Sequence, residues 1–161
     1  MSKLVVLVVA LGLLVGCRDQ GDAAKPVAPE ADAILRVLTR HAELVKYRAE
    51  AEATLTKFSE VAAVWGRFCD ELERLDLTGC PPDFRVAFRQ HSRSCRDVQA
   101  AIAEFPDSQT EMFVIAFLNG LAGQLDGGFG QLKANYDAAN QSGNATYKHL
   151  EETALKYGAA L

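Results

Sequence analysis

The sequence lacks the motifs that mark most enzymes and nucleic-acid-binding proteins. It contains no Gly-x-Ser-x-Gly nucleophile motif and no Gly-x-x-x-x-Gly-Lys phosphate loop, and its 3 histidines are scattered along the chain. It has no basic stripe, and its net charge at pH 7 is -4, so a nucleic-acid partner is not expected. We therefore expect no enzymatic activity, and we predict no catalytic residues, no cofactor and no metal ion.

Long apolar runs and strand-like patterns are also missing from most of the chain. After residue 17 no apolar stretch approaches the roughly 18 residues that indicate a transmembrane helix. No segment alternates apolar and polar residues in the manner of a β-strand, and no internal repeat is present. Proline is absent from residues 31–75, where Ala, Glu, Leu, Arg and Lys dominate. These are good helix formers, so the composition favours an all-α protein.

The first 17 residues have the layout of an export signal. Lys3 gives a basic start, residues 4–15 form an apolar run with one glycine, and the small residue Gly16 precedes Cys17. The run is too short to span a bilayer, which needs roughly 20 apolar residues. Leu14-Val15-Gly16-Cys17 resembles the lipobox of bacterial lipoproteins. The other interpretations are an ordinary secretory signal with a chance cysteine, and a short buried core segment.

The lipobox resemblance covers residues 1–17 and implies a lipid anchor. In that family the signal is cut before the cysteine, the thiol receives a diacylglycerol and the new amino terminus is acylated. Several acyl chains make release negligible, because each buried methylene contributes ~0.8 kcal/mol. Arg18 stands where an Asp would retain many such proteins in the inner membrane, so the resemblance implies the outer membrane, facing the periplasm. Inner-membrane retention remains the alternative, because in some bacterial lineages the sorting signal also includes the next position, which here is Asp19.

Three regions follow from the sequence. Residues 1–16 are predicted to be the signal peptide, and residues 17–30 the lipidated cysteine with a flexible tether, where Pro26 and Pro29 oppose a helix interior. Residues 31–161 are predicted to form one helical domain with one core. We expect an antiparallel up-down bundle of about four helices with one long N-terminal helix.

The predicted helices follow apolar seams of 3-4 spacing. The first runs over residues 31–75, either unbroken or bent or broken near residues 49–53. The second covers residues 82–104. Its seam comprises Phe84, Phe88, His91, Cys95, Val98, Ile102 and Phe105.

The second half of the domain is expected to hold two more helices. The third starts at a capping box, Ser108 to Glu111, and reaches Tyr136, either continuous or broken near residues 126–128, where glycines cluster. A turn at residues 140–144 is predicted to precede a last helix over residues 145–157.

Three cysteines remain besides Cys17, and disulfides persist in an oxidising compartment. A hairpin that turns near Gly79 would place Cys69 level with about residue 90, while Cys80 in the turn could fold back over the first helix. The sequence therefore favours a Cys69–Cys80 disulfide. A Cys69–Cys95 bond is the rival if the helix register slips. The third possibility is that all three are reduced and buried.

The remaining candidates for chemistry are weakly supported by the sequence. His91 and Cys95 are spaced i, i+4, and with Cys69 they could form a soft metal or redox site. Non-covalent haem ligation by Met112 with His41, His91 or His149 is a further possibility, although the Cys-x-x-Cys-His attachment motif is absent.

The leading hypothesis is a membrane-anchored periplasmic lipoprotein with a non-enzymatic binding or interaction module. Its partners would be the lipid bilayer, through acylated Cys17, and another envelope protein or a small apolar ligand. The segment from Cys80 to Phe88 is the expected rigid, exposed end. Four aromatic residues near the turn form either core or an open apolar groove; they are Trp65, Phe68, Phe84 and Phe88. The alternative hypothesis is a periplasmic redox or metal- or haem-binding helical bundle.

Overall fold

The computed structural model describes residues 29–108 and 129–160. Within these ranges the chain forms four α-helices and no β-strand. They are α1 (Pro29–Glu52), α2 (Phe58–Glu73), α3 (Pro82–Ala103) and α4 (Phe129–Lys156). The protein is an all-α helical bundle, as the sequence predicted.

The region predicted as a long N-terminal helix is two helices. Helix α1 ends at Glu52 and α2 begins at Phe58, so the break follows directly after the predicted weak point at residues 49–53. The backbone at Lys57 is extended, which prevents a continuous helix. The break allows α2 to turn back beside α1, and the guanidinium of Arg48 lies 4.1 Å from the centre of the Trp65 ring as a result.

Neighbouring helices run in opposite directions, and contacts along their length fix the register. The Asp107 carboxylate, just after α3, accepts hydrogen bonds from the backbone and hydroxyl of Ser59 at the start of α2. Arg96 of α3 pairs with Asp70 near the other end of α2. Tyr157, directly after α4, donates a hydrogen bond of 2.8 Å to Asp83 at the start of α3. The bundle therefore has the predicted up-down order.

The connection between α2 and α3 is longer than the turn that the sequence suggested. Helix α2 is capped by Arg74 and not by Gly79, which lies within the connection at φ 83°. A side chain at Gly79 would be strained at this φ, and its Cβ would lie 3.3 Å from the Cβ of Ala33. Pro82 begins α3, where the missing amide hydrogen of proline costs nothing, as predicted.

The predicted turn at residues 140–144 is wrong, because α4 continues through it to Lys156. Gly143 faces α3, and a Cβ built there would lie 3.8 Å from a methyl carbon of Val98. The Thr146 hydroxyl also donates to the Gly143 carbonyl at 2.9 Å. Packing against α3 therefore overrides the low helix propensity of the Asn-Gln-Ser-Gly-Asn segment.

The remaining predicted boundaries have mixed outcomes. Helix α3 ends at Ala103, one residue before the predicted end. The predicted third helix starts at a capping box from Ser108 to Glu111, of which only Ser108 is described, and its glycine cluster near residues 126–128 lies outside the described residues.

The core follows the predicted seams. Six of the seven seam positions of α3 are buried, the exception being the partly buried Phe105. One apolar cluster joins all four helices, and Ile34, Cys69, Phe84 and Leu150 are fully buried in it. Trp65 packs against this cluster, and Phe68, Phe84 and Phe88 belong to it, so these four aromatics lie mainly in the core.

Candidate functional site

Two histidines from different helices meet inside the bundle. The Nε2 atoms of His41 in α1 and His91 in α3 lie 3.1 Å apart, and both side chains are buried. Cys95, one turn after His91, places its Sγ 3.7 Å from the same Nε2 of His91. Tyr147 of α4 stacks on the His41 ring, with 5.3 Å between the ring centres. We call His41, His91, Cys95, Thr146 and Tyr147 the inner cluster.

Helix α4 orients the His91 ring through Thr146. The Thr146 Oγ1 lies 3.4 Å from Nδ1 of His91 and donates its own hydrogen to the Gly143 carbonyl. The Ser94 hydroxyl lies 2.7 Å from Thr146 Oγ1 and 2.8 Å from the His91 carbonyl, and one of the two hydroxyls donates to the other. The Gly143 carbonyl accepts a hydrogen bond from the His91 ring, and the ring can donate only from an N–H. The hydrogen therefore sits on Nδ1, and the Nε2 lone pair of His91 points towards His41.

The interior keeps both imidazoles uncharged. Burial lowers the pKa of His41 to about 3, and repulsion from Arg48, and from His91 when it is protonated, lowers it further. Burial also lowers the pKa of His91 to about 4, partly opposed by its hydrogen bond to the Gly143 carbonyl. At neutral pH the pair is therefore neutral, and it shares one N–H···N hydrogen bond.

The inner cluster lies in the wall of a cavity between the four helices. The cavity has a volume of about 1500 Å³, and most of its lining is apolar, with side chains such as Val61, Trp65 and Ile102. A large apolar cavity with a few convergent polar groups is the usual form of a small-ligand site. The inner cluster is therefore the polar part of a candidate binding site.

An ion pair borders the same cavity. Arg48 lies 3.2 Å from Glu52, and its guanidinium sits over the rings of Trp65 and Phe68. Burial raises the pKa of Glu52, while the Arg48 charge opposes that shift. The two charges compensate each other beside the neutral histidines.

Cys69, Cys80 and Cys95 are free and buried, so neither the predicted Cys69–Cys80 disulfide nor the rival Cys69–Cys95 bond is formed among the described residues. The helix register also differs from the one expected. Arg96 bonds Glu73 and approaches the Gly66 carbonyl, which places Cys69 opposite Cys95 and not opposite residue 90. This is the slipped register that favoured the rival Cys69–Cys95 pair. Burial raises the pKa of Cys69 to about 11 and that of Cys95 to about 12, and it also raises the pKa of Cys80.

The structure brings together some of the predicted site residues and separates others. His91 and Cys95 share one site, and Cys69 lies close enough for its charge to raise the pKa of Cys95. His149 is exposed on α4. Met112 and Cys17 lie outside the described residues, so the haem and lipid predictions stay predictions.

The predicted exposed end of the bundle is only partly exposed. Cys80, Phe84 and Phe88 are buried, whereas Val86 on the same turn of α3 is 53% exposed. This end therefore presents few apolar atoms to a partner.

Sequence reasoning missed the role of His41. The residue continues the α1 stripe of Ile34, Leu38 and Val45 with 4-3-4 spacing, and this signal marked it as an inward-facing position. The contact between His41 and His91 depends on how α1 packs against α3. The apolar pattern of a single helix does not show how that helix packs against another. Thr146 was missed because it was assigned to a helix start beside the predicted turn.

Comparisons with known proteins do not narrow the function. No family model matches the chain, and neither a curated protein nor a solved structure is similar to it. Among residues 29–108 and 129–160, no helix combines the length and apolarity needed to cross a bilayer. In the same ranges, no group of three or more His, Cys, Asp or Glu side chains could hold a metal ion.

Proposed function

We propose that the protein is a lipid-anchored, non-enzymatic binding protein of the bacterial envelope. Residues 1–16 would be removed, acylated Cys17 would hold the chain on the outer membrane, and the residues between Cys17 and Pro29, where α1 begins, would tether the bundle in the periplasm. The resemblance of residues 14–17 to a lipobox supports the anchor. The observation that carries the binding function is the cavity of about 1500 Å³, whose apolar wall contains a buried pair of neutral histidines.

Metabolic labelling with palmitate tests the anchor. The wild-type chain should take up label and sediment with membranes, whereas Cys17→Ser should do neither. Cys80→Ser is the matched control, because Cys80 is buried within the bundle and should leave the label unchanged. Label that persists in Cys17→Ser, or its absence from the wild type, contradicts the proposed anchor.

The binding function can be tested without knowing the ligand. Native mass spectrometry of the full chain, extracted gently from membranes, should show a reproducible bound species. Ala42 lines the cavity, so Ala42→Trp should exclude that species. Ala42 and Ala49 are both exposed residues of α1, but Ala49 does not line the cavity, so Ala49→Trp should retain the bound species. Equal occupancy in both variants, or no bound species in the wild type, contradicts an interior binding site.

The second candidate function, a metal-binding bundle, has less support. His91 and Cys95 were predicted as ligands from their spacing, and His41 lies within 3.1 Å of His91. However, no group of three His, Cys, Asp or Glu side chains among the described residues could hold a metal ion. A haem is less well supported, because two axial nitrogens on opposite sides of an iron would be about 4 Å apart, given metal–nitrogen bonds of roughly 2 Å.

A further inference from the structure

A second, smaller groove lies between α3 and the connection that follows α2. Its volume is about 440 Å³, within the range of about 300–1,000 Å³ that is typical of small-ligand sites. Arg85, Arg89 and Arg93 of α3 line it, and we call it the arginine groove. No described residue that lines it also lines the larger cavity, so it is separate from the inner cluster.

The helical repeat brings the three arginines to one face of α3. They are four residues apart, so successive positions are separated by about 6 Å along the helix axis. All three are exposed, and within residues 29–108 and 129–160 none of them has an ion pair or a hydrogen bond. Like charges four residues apart destabilise a helix, so this arrangement does not serve the stability of α3.

The two carboxylates of the groove are engaged elsewhere. Glu73 accepts a hydrogen bond of 2.8 Å from Arg96. Asp76 accepts a hydrogen bond of 2.8 Å from the backbone N–H of Thr78. Hydrogen bonds from Thr78 lower the pKa of Asp76, and the charge of Arg36 adds to that effect. The groove therefore keeps an excess of positive charge for an anionic ligand.

A buried hydroxyl beside the arginines also lacks a partner. Ser92 lines the groove and is 5% exposed, and its Oγ is buried without a hydrogen bond to any other described residue. Leaving a buried polar group unpaired costs free energy. A ligand oxygen in the groove would supply the missing acceptor, so the site offers a hydroxyl donor beside the guanidinium charges.

The other part of the lining is apolar. Leu72 and Phe88 are buried, and Leu75 and Leu77 are partly buried. An anion that carries a small apolar group would contact both parts of the groove, whereas a simple inorganic anion would contact only one.

We propose that the arginine groove binds a small phosphate monoester with an apolar organic part. A phosphate monoester carries a charge of about −1.5 to −2 at pH 7 and has three strong acceptor oxygens, so it can bond several guanidinium groups at once. A carboxylate has one charge and two oxygens and would leave more of the arginine charge uncompensated. Guanidinium groups also match phosphate in two-pronged bonds.

Isothermal titration calorimetry of the full chain tests the inference, in detergent and a phosphate-free buffer of low ionic strength, with phenyl phosphate as the probe. The wild type should bind one phenyl phosphate per chain. Inorganic phosphate lacks the ring and should bind more weakly, and phenol lacks the charge and should not bind. Added salt should weaken binding, because it screens the exposed arginines.

Substitutions distinguish a defined site from general attraction to positive charge. Arg89→Gln and Ser92→Ala should each weaken binding of phenyl phosphate about tenfold or more, since each removes a hydrogen bond to a charged group. Arg89→Lys keeps the charge without the two-pronged geometry and should also weaken binding. Arg67→Gln is the matched control, because Arg67 is exposed, has no ion pair among the described residues and does not line the groove. It should leave the affinity nearly unchanged.

The phosphate group could belong to a free molecule or to a lipid headgroup, and phosphatidic acid added to the micelles distinguishes these sources. Displacement of phenyl phosphate would support the site and assign it to a headgroup. Retention of phenyl phosphate would support the site and assign it to a soluble ester.

Circular dichroism confirms that each variant is folded before its affinity is compared. The inference is overturned if the wild type binds no phenyl phosphate, or if phenol binds as tightly. It is also overturned if Arg67→Gln weakens binding as much as Arg89→Gln, or if folded Ser92→Ala binds normally. Because the groove and the cavity share no described lining residue, any of these results leaves the proposed binding function untouched.

Discussion

Two polar clusters join helices in this bundle, and they do so in opposite ways. The outer cluster consists of Arg96, Asp70 and Glu73 and links α3 to α2 at the surface. The side chains are charged, and Asp70 and Glu73 are about half exposed. The inner cluster links α1, α3 and α4 through buried, neutral groups.

The two clusters differ in how their surroundings shift the pKa values of their ionisable side chains. Hydrogen bonds from Arg96 lower the pKa values of Asp70 and Glu73, which stabilises their charged forms. Burial has the opposite result for His41 and His91, whose charged forms are disfavoured. The outer cluster therefore has an ordinary structural explanation. Perturbed pKa values are common at functional sites, and this contrast between the clusters is why we propose that the inner cluster belongs to a binding site.

The largest expected difference between the clusters is their pH dependence. The histidines have pKa values of about 3 and 4, against 6.5 in the unfolded chain. The unfolded state binds more protons below pH 6.5, so the free energy of unfolding should fall by roughly 4 kcal/mol between pH 6.5 and 4.5. Urea titrations at each pH measure this loss.

Several charged or titratable groups from the surrounding elements face the histidines and must be held constant in this test. They are Arg48 and Glu52 of α1, Cys69 of α2, Cys95 of α3, and Tyr147 and Glu151 of α4. The variant His41→Leu/His91→Leu retains all of them. Its stability should be nearly flat between pH 6.5 and 4.5. An equally steep loss in this variant would assign the pH dependence to other groups.

The next largest expected effect on stability comes from the hydrogen bond between His41 and His91. His91→Leu alone leaves the buried Nε2–H of His41 without its acceptor and should cost about 1–3 kcal/mol. Replacing both residues by leucine removes the unsatisfied group and should cost less than the two single changes added together. A double-mutant cycle in urea at pH 7 measures the coupling. Additive costs would show that the histidines do not interact.

The outer cluster should respond more weakly. Arg96→Ala removes bonds to two carboxylates that are about half exposed, and it should cost about 1 kcal/mol or less. The loss should shrink in 1 M salt, which screens surface charges. Arg96→Lys keeps the charge without the two-pronged geometry and serves as the control. A cost above 3 kcal/mol, insensitive to salt, would remove the distinction between the clusters.

The smallest predicted effect has the opposite sign and tests the α3–α4 contact that supports the inner cluster. Gly143→Ala adds a methyl at ordinary contact distance, 3.8 Å from Val98, in the interior of α4. It should raise the free energy of unfolding by about 0.5–1 kcal/mol, because alanine favours a helix over glycine. Thermal unfolding measures the change. A loss of stability would indicate a turn here, as the sequence alone suggested.

Local pattern predicted the parts of the fold that depend on one helix at a time. The α3 seam from Phe84 to Ile102 is buried as its spacing indicated, and α3 starts at Pro82 as predicted. The break between α1 and α2 was recognised as an alternative, since residues 46–54 lack an apolar stripe.

The errors arose where contacts between helices decide the structure. Residues 140–144 have turn-like composition, yet contact between Gly143 and Val98 keeps them helical. Cys69 faces Cys95 because the connection after α2 is longer than a tight turn, and no local pattern reveals that register. The pairing of His41 with His91 depends on the same tertiary information, so only half of the candidate site was named in advance.

The most direct test of the central claim, that His41 and His91 form a buried neutral pair, is an NMR titration of the histidine rings in the full chain. The account predicts that both rings stay uncharged at about pH 5.5, because burial lowers their pKa values to about 3 and 4, and that one N–H···N hydrogen bond joins the two Nε2 atoms. Protonation of either ring near pH 6.5 in the folded protein would contradict the claim.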